Sequence, residues 1–408
     1  MRGDRMMRIA MVSEHASPIA ALGAVDAGGQ NVHVANLSRA LAARGAHVDV
    51  YTRRDDPALL PIVQFDRRVR VVHVDAGPPT AIEKDALLQY MREFARVLAA
   101  HWDTAPPDVA HAHFWMSGLA VVDAARARSI PTALTFHALG VEKRRQQREK
   151  DTSPPERIGL EQGLAQDVDR VLATSNAEVF ELVRMGAHRD CVQVVPCGVD
   201  TTAFTPRGRR WPRRAGTARV VMVSRLVERK GIGNVIQAIA DVPGAELLVA
   251  GGPPRDILAA DPEACRLWRV AEEAGVADRV RLLGSVERAE VPALMRSADV
   301  VACAPWYEPF GLVALEAMAC GVPVVATAVG GQMDTIAHGV TGLLVPPRAP
   351  TLLARALSDL LGDPALRRAM GRAGARRARR FEWHRVADET LAAYPTTALR
   401  AREAEVAR

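Results

Sequence analysis

Glu308 and Glu316 stand eight positions apart in the run EPFGLVALEAMACGVPVVATAVGG, Glu308 to Gly331. The residues around them predict their setting. Pro309 suits the first turn of a helix, where a missing N–H does no harm. Gly311 to Ala319 reads as that helix, Gly321 as its C-terminal break, and Val322 to Thr327 as a short buried strand. Glu308 then sits just before a helix N-terminus, and Glu316 about two turns inside the helix. The free N–H groups at such an end form an anion site. An anion site flanked by two carboxylates suits a ligand with both a phosphate and several hydroxyls. A sugar nucleotide is such a ligand.

The rest of the chain must position these groups. Its 408 residues are enough for two domains with a core each. A hydrophobic share of 49%, a charged share of 25% and a mean hydropathy of -0.02 match a soluble globular protein. The net charge is +6 and the pI about 9.3. Much of the excess lies in Lys143–Arg148, Arg207–Arg214 and the Arg-rich C-terminal region. Such a balance fits an anionic small substrate at least as well as nucleic acid. Aromatic residues make up only 4%, which speaks against single-strand stacking platforms. The five cysteines (191, 197, 265, 303 and 320) are odd in number and widely spaced, as expected of reduced thiols in the cytoplasm. The N-terminus is charged and its apolar stretch short, so it reads as a first strand rather than a signal peptide. No run of 18 apolar residues exists, so no membrane span is expected.

Taken in order, Arg8–Ser13 reads as a strand, Asp26-Ala-Gly28-Gly29 as a loop, Gln30–Ala43 as a helix and Val48–Thr52 as the next strand. This is a βαβ unit. It lacks G-x-G-x-x-G, so the nicotinamide fingerprint is absent. Asp108–His113 and Thr132–His137 read as strands ending in histidine, and ligands gather at the carboxyl ends of parallel strands. His111 and His113 share one strand face, a spacing that suits metal, but no third ligand is evident. They read as core or cleft histidines, and no metal site is expected. Lys143–Glu156 reads as a mobile loop or lid. Pro196 to Pro212 looks like a linker. The pattern then restarts with a strand at Arg219–Ser224, a loop at Arg225–Gly231 and a helix at Ile232–Ala240. The expected architecture is α/β, with Rossmann-like domains over residues 1–200 and 201–382. A C-terminal helix, about 383–408, is expected to pack back on the first domain.

Five motifs in order carry a family resemblance. They are Asp26-Ala-Gly-Gly-Gln-Asn31, Phe136-His137-Ala-Leu, Pro196-Cys-Gly-Val-Asp200, Arg225-Leu-Val-Glu-Arg-Lys230-Gly231 and Glu308-Pro-Phe-Gly-Leu with Glu316. Together they resemble the retaining glycosyltransferases of family 4, over roughly residues 8 to 390. Within that family they look like the inositol-phosphate glycosyltransferase and sucrose-phosphate synthase branch. The resemblance implies a GT-B fold, two facing Rossmann-like domains with a cleft between. It implies that Arg225 and Lys230 clamp a diphosphate, and paired cations of this kind stabilise charge on a leaving nucleotide. Gly28 and Gly29 would bring N–H groups to the same phosphates. Glu316 would hold the ribose diol and Glu308 the donor-sugar hydroxyls. The N–H groups of Phe310, Gly311 and Leu312 would contact sugar or phosphate. Val286 matches a position where the backbone reads the base. His137 would lie beside the donor sugar. No carboxylate is placed as a nucleophile, unlike in retaining hydrolases. The implied reaction is a front-face substitution in which the leaving phosphate takes the acceptor proton.

The acceptor side departs from the pattern. Lys84, Arg157 and Asn31 keep three of the implied acceptor positions. Phe114 stands where a Tyr is usual, and Ala138 where a Thr is usual, so each position lacks a hydroxyl. A site built on those hydrogen bonds would lose discrimination. The expected acceptor is therefore small, soluble and anionic but not inositol phosphate, with secondary metabolism as one setting. Inositol-phosphate or sugar-phosphate transfer proper is the alternative. A sugar-nucleotide epimerase or glycan phosphorylase of the same fold, and a non-catalytic nucleotide- or nucleic-acid-binding protein, are further ones. The expected partners are a UDP- or GDP-sugar as co-substrate and the acceptor, with no cofactor and no nucleic acid. A homodimer stays open.

Overall fold

Runs such as RIAMV, VAHAH and TALT are too short for stable helices and almost wholly apolar on both faces. They fold as buried parallel strands, which need helices on either side. The computed structural model describes residues 6–19, 28–213 and 215–395. They form two units, one running to residue 196 and resuming at 383, the other spanning 197–382.

The first unit holds β1 (Arg8–Val12), β2 (His47–Arg53), β3 (Ile62–Asp66), β4 (Val69–Val74), β5 (Val109–His113), β6 (Thr132–Thr135), β7 (Arg170–Ala173) and β8 (Val192–Val194). Their order is β3-β4-β2-β1-β5-β6-β7-β8, parallel except for the edge strand β3. The order reverses at β1, whose Val12 pairs with Tyr51 on one side and Ala112 on the other. His113 pairs with Thr135, so the chain leaves β5 and β6 side by side. One face is covered by the helices Met91–Thr104 and Trp115–Arg126, which bury Phe94, Leu98, Trp102 and Trp115. The other is covered by the helices Gly29–Ala43 and Trp383–Ala393. Each fully buried Leu or Phe contributes about 1.5–3 kcal/mol. The last helix is tied to the first by Arg44 donating to Asp388 at 2.5 Å.

The second unit holds β9 (Ala218–Val223), β10 (Ala245–Ala250), β11 (Val280–Gly284), β12 (Val300–Cys303), β13 (Val324–Thr327) and β14 (Gly342–Val345), ordered β11-β10-β9-β12-β13-β14 and all parallel. Here the reversal falls between β9 and β12. The helices Ile232–Ala240 and Pro350–Gly362 cover one face, Leu312–Ala319 and Pro364–Ala378 the other. No helix among the described residues is long and apolar enough to cross a membrane.

Two local expectations fail. Lys143–Glu156 is not a free loop: Gly140–Gln147 is helical and a 3-10 turn follows at Arg148–Lys150. Its basic run is pinned by an acid of its own, with Lys143 3.0 Å from Asp151, and by one from another helix, with Arg145 3.1 Å from Glu181. Pro309 lies outside the helix. Gly311 caps it in the left-handed region, φ 75°, and the helix starts at Leu312.

Candidate active site

In the second unit the loops after β9 and β12 meet at the reversal of strand order, where α/β sheets bind ligands. Lys230 ends a 3-10 turn and Gly231 starts the next helix with φ 69°. A Cβ on Gly231 would stand 2.0 Å from the Ala304 carbonyl oxygen, so only glycine lets the two loops touch. The Trp306 N–H donates to the Arg229 carbonyl at 2.8 Å, locking the same contact. Gly330 does the equivalent on the far side of Glu308, whose carbonyl lies 2.2 Å from where a Cβ would be.

This framing brings Lys230 Nζ to 2.5 Å from Glu308 Oε2. Burial alone would push the Glu308 carboxyl up, but the Lys230 ammonium, Arg229 and the Gly311 N–H hold it below the usual carboxylate range. Burial pulls the Lys230 ammonium down, against the pull of Glu308, and the neighbouring cations Arg229 and Arg225 add to the fall. The Gly311 N–H is thus turned to Glu308. Arg225 is exposed on the same loop. Phe310 is buried and Leu312 half-buried at the helix start. Glu316 is buried about one turn into the helix and accepts from Arg288, whose guanidinium lies 4.6 Å over the Phe204 ring. Val286 is half-buried just before Arg288. Sequence reasoning missed Arg288; a lone cation after a strand end, facing a motif carboxylate, was the available signal.

In the first unit the carboxyl ends of β1, β5 and β6 supply a second cluster, centred on Phe114. Lys84 Nζ lies 5.7 Å from its ring centre, Arg157 Cζ 5.1 Å and the His15 ring 4.9 Å, edge on. Arg157 is almost fully buried, donating to Glu161 at 2.7 Å, Ser153 at 3.2 Å and the Ala138 carbonyl at 2.6 Å. It therefore anchors the floor of the cluster as well as charging it, and Ala138 joins through its backbone. Burial pushes the Glu161 carboxyl up, against the pull of Arg157. Asn31 lies apart from Phe114's neighbours, accepting from the Gly28 N–H at 3.0 Å and donating to the Ser17 carbonyl at 2.9 Å. Gly28 caps the helix that Gly29 begins, in ordinary extended backbone, with open space where a Cβ would stand. Asp26 of the same motif lies outside the described residues. His15 was also missed. Its Nδ1 sits 2.7 Å from the buried Glu14 carboxylate, which accepts from the Ser117 hydroxyl on its other oxygen. It follows a strand end just as His137 does, and that rule applied to β1 would have found it.

His137 lies beneath this cluster. It and Phe114 both adopt left-handed backbone, φ 63° and 84°, at neighbouring strand ends. Such strain in bulky residues clusters at functional sites. His33, His111 and His113 crowd His137, and no group of acids, cysteines and histidines among the described residues is disposed to hold a metal.

Residues 27–203 match the domain described as Glycosyltransferase Family 4, and residues 209–377 that described as Glycosyl transferases group 1. The D-inositol 3-phosphate glycosyltransferase of Xylanimonas cellulosilytica is 39% identical, over 97% of this chain and 98% of its own. That of Mycolicibacterium smegmatis is 37% identical, over 95% and 90%. Among solved structures, sucrose-phosphate synthase from Thermosynechococcus elongatus superposes with a TM-score of 0.86 at 31% identity, covering 98% of this chain and 100% of that one. Anabaena HepE, solved with UDP and glucose, shares the fold at a TM-score of 0.72 and 21% identity, covering 95% and 98%.

Proposed function

The chain belongs to glycosyltransferase family 4 and is a glycosyltransferase of GT-B fold, and we propose that it moves a sugar, with retention at the anomeric carbon, from a UDP- or GDP-sugar to a small anionic acceptor. The observation that carries this is the half-buried Lys230–Glu308 pair at 2.5 Å. A carboxylate so held is a stand-in for a phosphate. When the donor binds, its diphosphate takes over the Lys230 ammonium together with Arg225, and Glu308 is released to accept from sugar hydroxyls. Gly28 and Gly29 add N–H groups at a helix start. Glu316 takes the ribose diol, with Phe310, Gly311, Leu312 and Val286 along the nucleotide. As the anomeric carbon–phosphate bond breaks, Lys230 and Arg225 stabilise the charge on the leaving diphosphate. The acceptor oxygen bonds to the same face of that carbon and its proton passes to the leaving phosphate. His137 lies against the donor sugar. Lys84 and Arg157 draw the acceptor anion to Phe114, with Asn31 and Ala138 at its margin.

One observation favours a narrower second reading. The curated relatives at 37–39% identity are named for D-inositol 3-phosphate, which Lys84 and Arg157 suit. Phe114 and Ala138 weigh against it, each lacking a hydroxyl. A thermal-shift screen over nucleotides and sugar nucleotides tests the donor side. A ligand at a hundred times its dissociation constant adds about 2.7 kcal/mol, and no shift with any of them ends the proposal. Transfer assays on inositol 3-phosphate, other sugar phosphates and carboxylates then decide the acceptor.

A further inference from the structure

Beside Phe114 the chain buries an acid next to its own histidine. Glu14 is almost wholly enclosed, and both carboxylate oxygens are engaged. Oε1 lies 2.7 Å from His15 Nδ1, and Oε2 accepts from the Ser117 hydroxyl. The backbone of Glu14 is held as tightly: its N–H donates to Ser117 Oγ at 3.0 Å, and its carbonyl accepts from the Arg53 N–H at 3.0 Å. Three elements therefore fix this carboxylate: the chain leaving β1, β2 through Arg53, and the helix Trp115–Arg126 through Ser117. Resting on the reading of the Phe114 cluster as the acceptor site, we propose that Glu14 is a positioning residue for the acceptor, holding the His15 ring with Nδ1–H turned inward and Nε2 offered to an acceptor hydroxyl.

The direction of this hydrogen bond follows from the partner. An ionised carboxylate only accepts, and the ordinary order of acidity leaves the proton of such a contact on the imidazole. The Ser117 hydroxyl supplies the second donor that an ionised carboxylate needs in a dry setting. Nε2 is the nitrogen left over, and it has no hydrogen-bond partner among the described residues. The His15 side chain keeps 11% of its surface exposed, and its ring is set edge-on to Phe114 at 4.9 Å. Around the same Phe114 ring stand the Lys84 ammonium at 5.7 Å and the Arg157 guanidinium at 5.1 Å. Those two supply charge for an anion. His15 in its neutral form adds what they lack, a bare nitrogen that accepts from a hydroxyl. The fitting acceptor carries an anion and a hydroxyl on one small frame, as a sugar phosphate or a hydroxy acid does. A carboxylate buried only to tie β1 to the helix would be costlier than an apolar side chain of similar size.

Long-range 1H–15N correlation on 15N-labelled protein reads the His15 ring directly, with its signals assigned from a His15→Gln sample. At about pH 8.5, well above the ordinary imidazole value, Nδ1–H with a bare Nε2 is expected. A proton on Nε2 there overturns the proposal. In Glu14→Leu the ring should lose this form. The Kd of inositol 3-phosphate, measured by calorimetry with UDP present, should rise about tenfold while the Kd of UDP holds. In Glu14→Gln, whose amide oxygen still accepts from Nδ1–H, most of that affinity should return. Unchanged affinity in the Leu variant overturns the proposal, as do Leu and Gln variants that are equally weak. Should Glu14→Leu fail to fold, the spectrum of the unaltered protein and the Gln variant still decide. Unchanged binding in Lys84→Ala, or no binding to the unaltered protein, would instead remove the acceptor reading, leaving the spectrum to judge the hold of Glu14 on His15.

Discussion

The two units place buried polar side chains at the same kind of position and solve the burial problem in opposite ways. In the second, opposite charges are brought into contact: Lys230 with Glu308, and Arg288 with Glu316. In the first, Arg157 and Glu161 keep one such pair, but the cluster of His33, His111, His113 and His137 gives up charge altogether. Buried groups must do one or the other, because an unpaired charge is too costly in a dry interior. The charged pairs are poised to exchange counterions with an anion, while the neutral histidines can only donate or accept hydrogen bonds.

The largest expected effect tests the paired unit. Lys230→Ala should lower kcat by about 10²–10³ while the fold, followed by circular dichroism, persists. A loss under tenfold would mean that the pair is structural. Next comes Arg157, a strongly paired cation of the first unit's cluster. Arg157→Ala strands the buried Glu161 carboxyl and should cost about 3–5 kcal/mol in a denaturant melt. Little change there would make Arg157 a ligand group alone. Acid should then separate the units. Burial brings His33 down to about 4 and His111 to about 3 from 6.5. Between pH 6.5 and 4 the unfolded chain binds more protons than the folded one, so stability falls with pH by about 1.4 kcal/mol per unit for each such histidine. His15, His113, His137 and Tyr394 face the same cluster, and the Glu14 carboxylate meets it through His15. Glu308, held below 4.5, keeps its contribution until the pH falls below that value. Calorimetry at pH 7 and 5, with hydrogen exchange to assign the transitions, should show the first unit weakening and the second hardly moving. Equal shifts would end the contrast. The smallest effect is at Arg288: Arg288→Gln should raise the donor KM about three- to tenfold with kcat nearly kept, and an unchanged KM would leave Glu316 without need of its partner.

How much was legible in advance also differs between the units. The E-x7-E run and the Arg225–Lys230 loop lie on short contiguous segments, so local rules of helix capping and charge suffice to see them. The Phe114 cluster is assembled from residues as far apart as His15, Lys84 and Arg157, and no local rule joins them. Lys143–Glu156 was misjudged in part for the same reason, since Glu181 is distant in sequence although Asp151 is local. Its basic residues look solvated until Glu181 and Asp151 are seen beside them.

By itself the sequence determined the alternation of strands and helices, the strand ends that carry His113 and His137, and the spacing of Glu308 and Glu316. These depend on periodicity and on neighbours along the chain. Only the tertiary structure decided that the histidines are neutral, that Glu308 holds Lys230, and that Arg157 serves the floor of its cluster. Charge state and hydrogen-bond direction depend on burial and on partners distant in sequence, and both exist only once the sheets are closed by their helices.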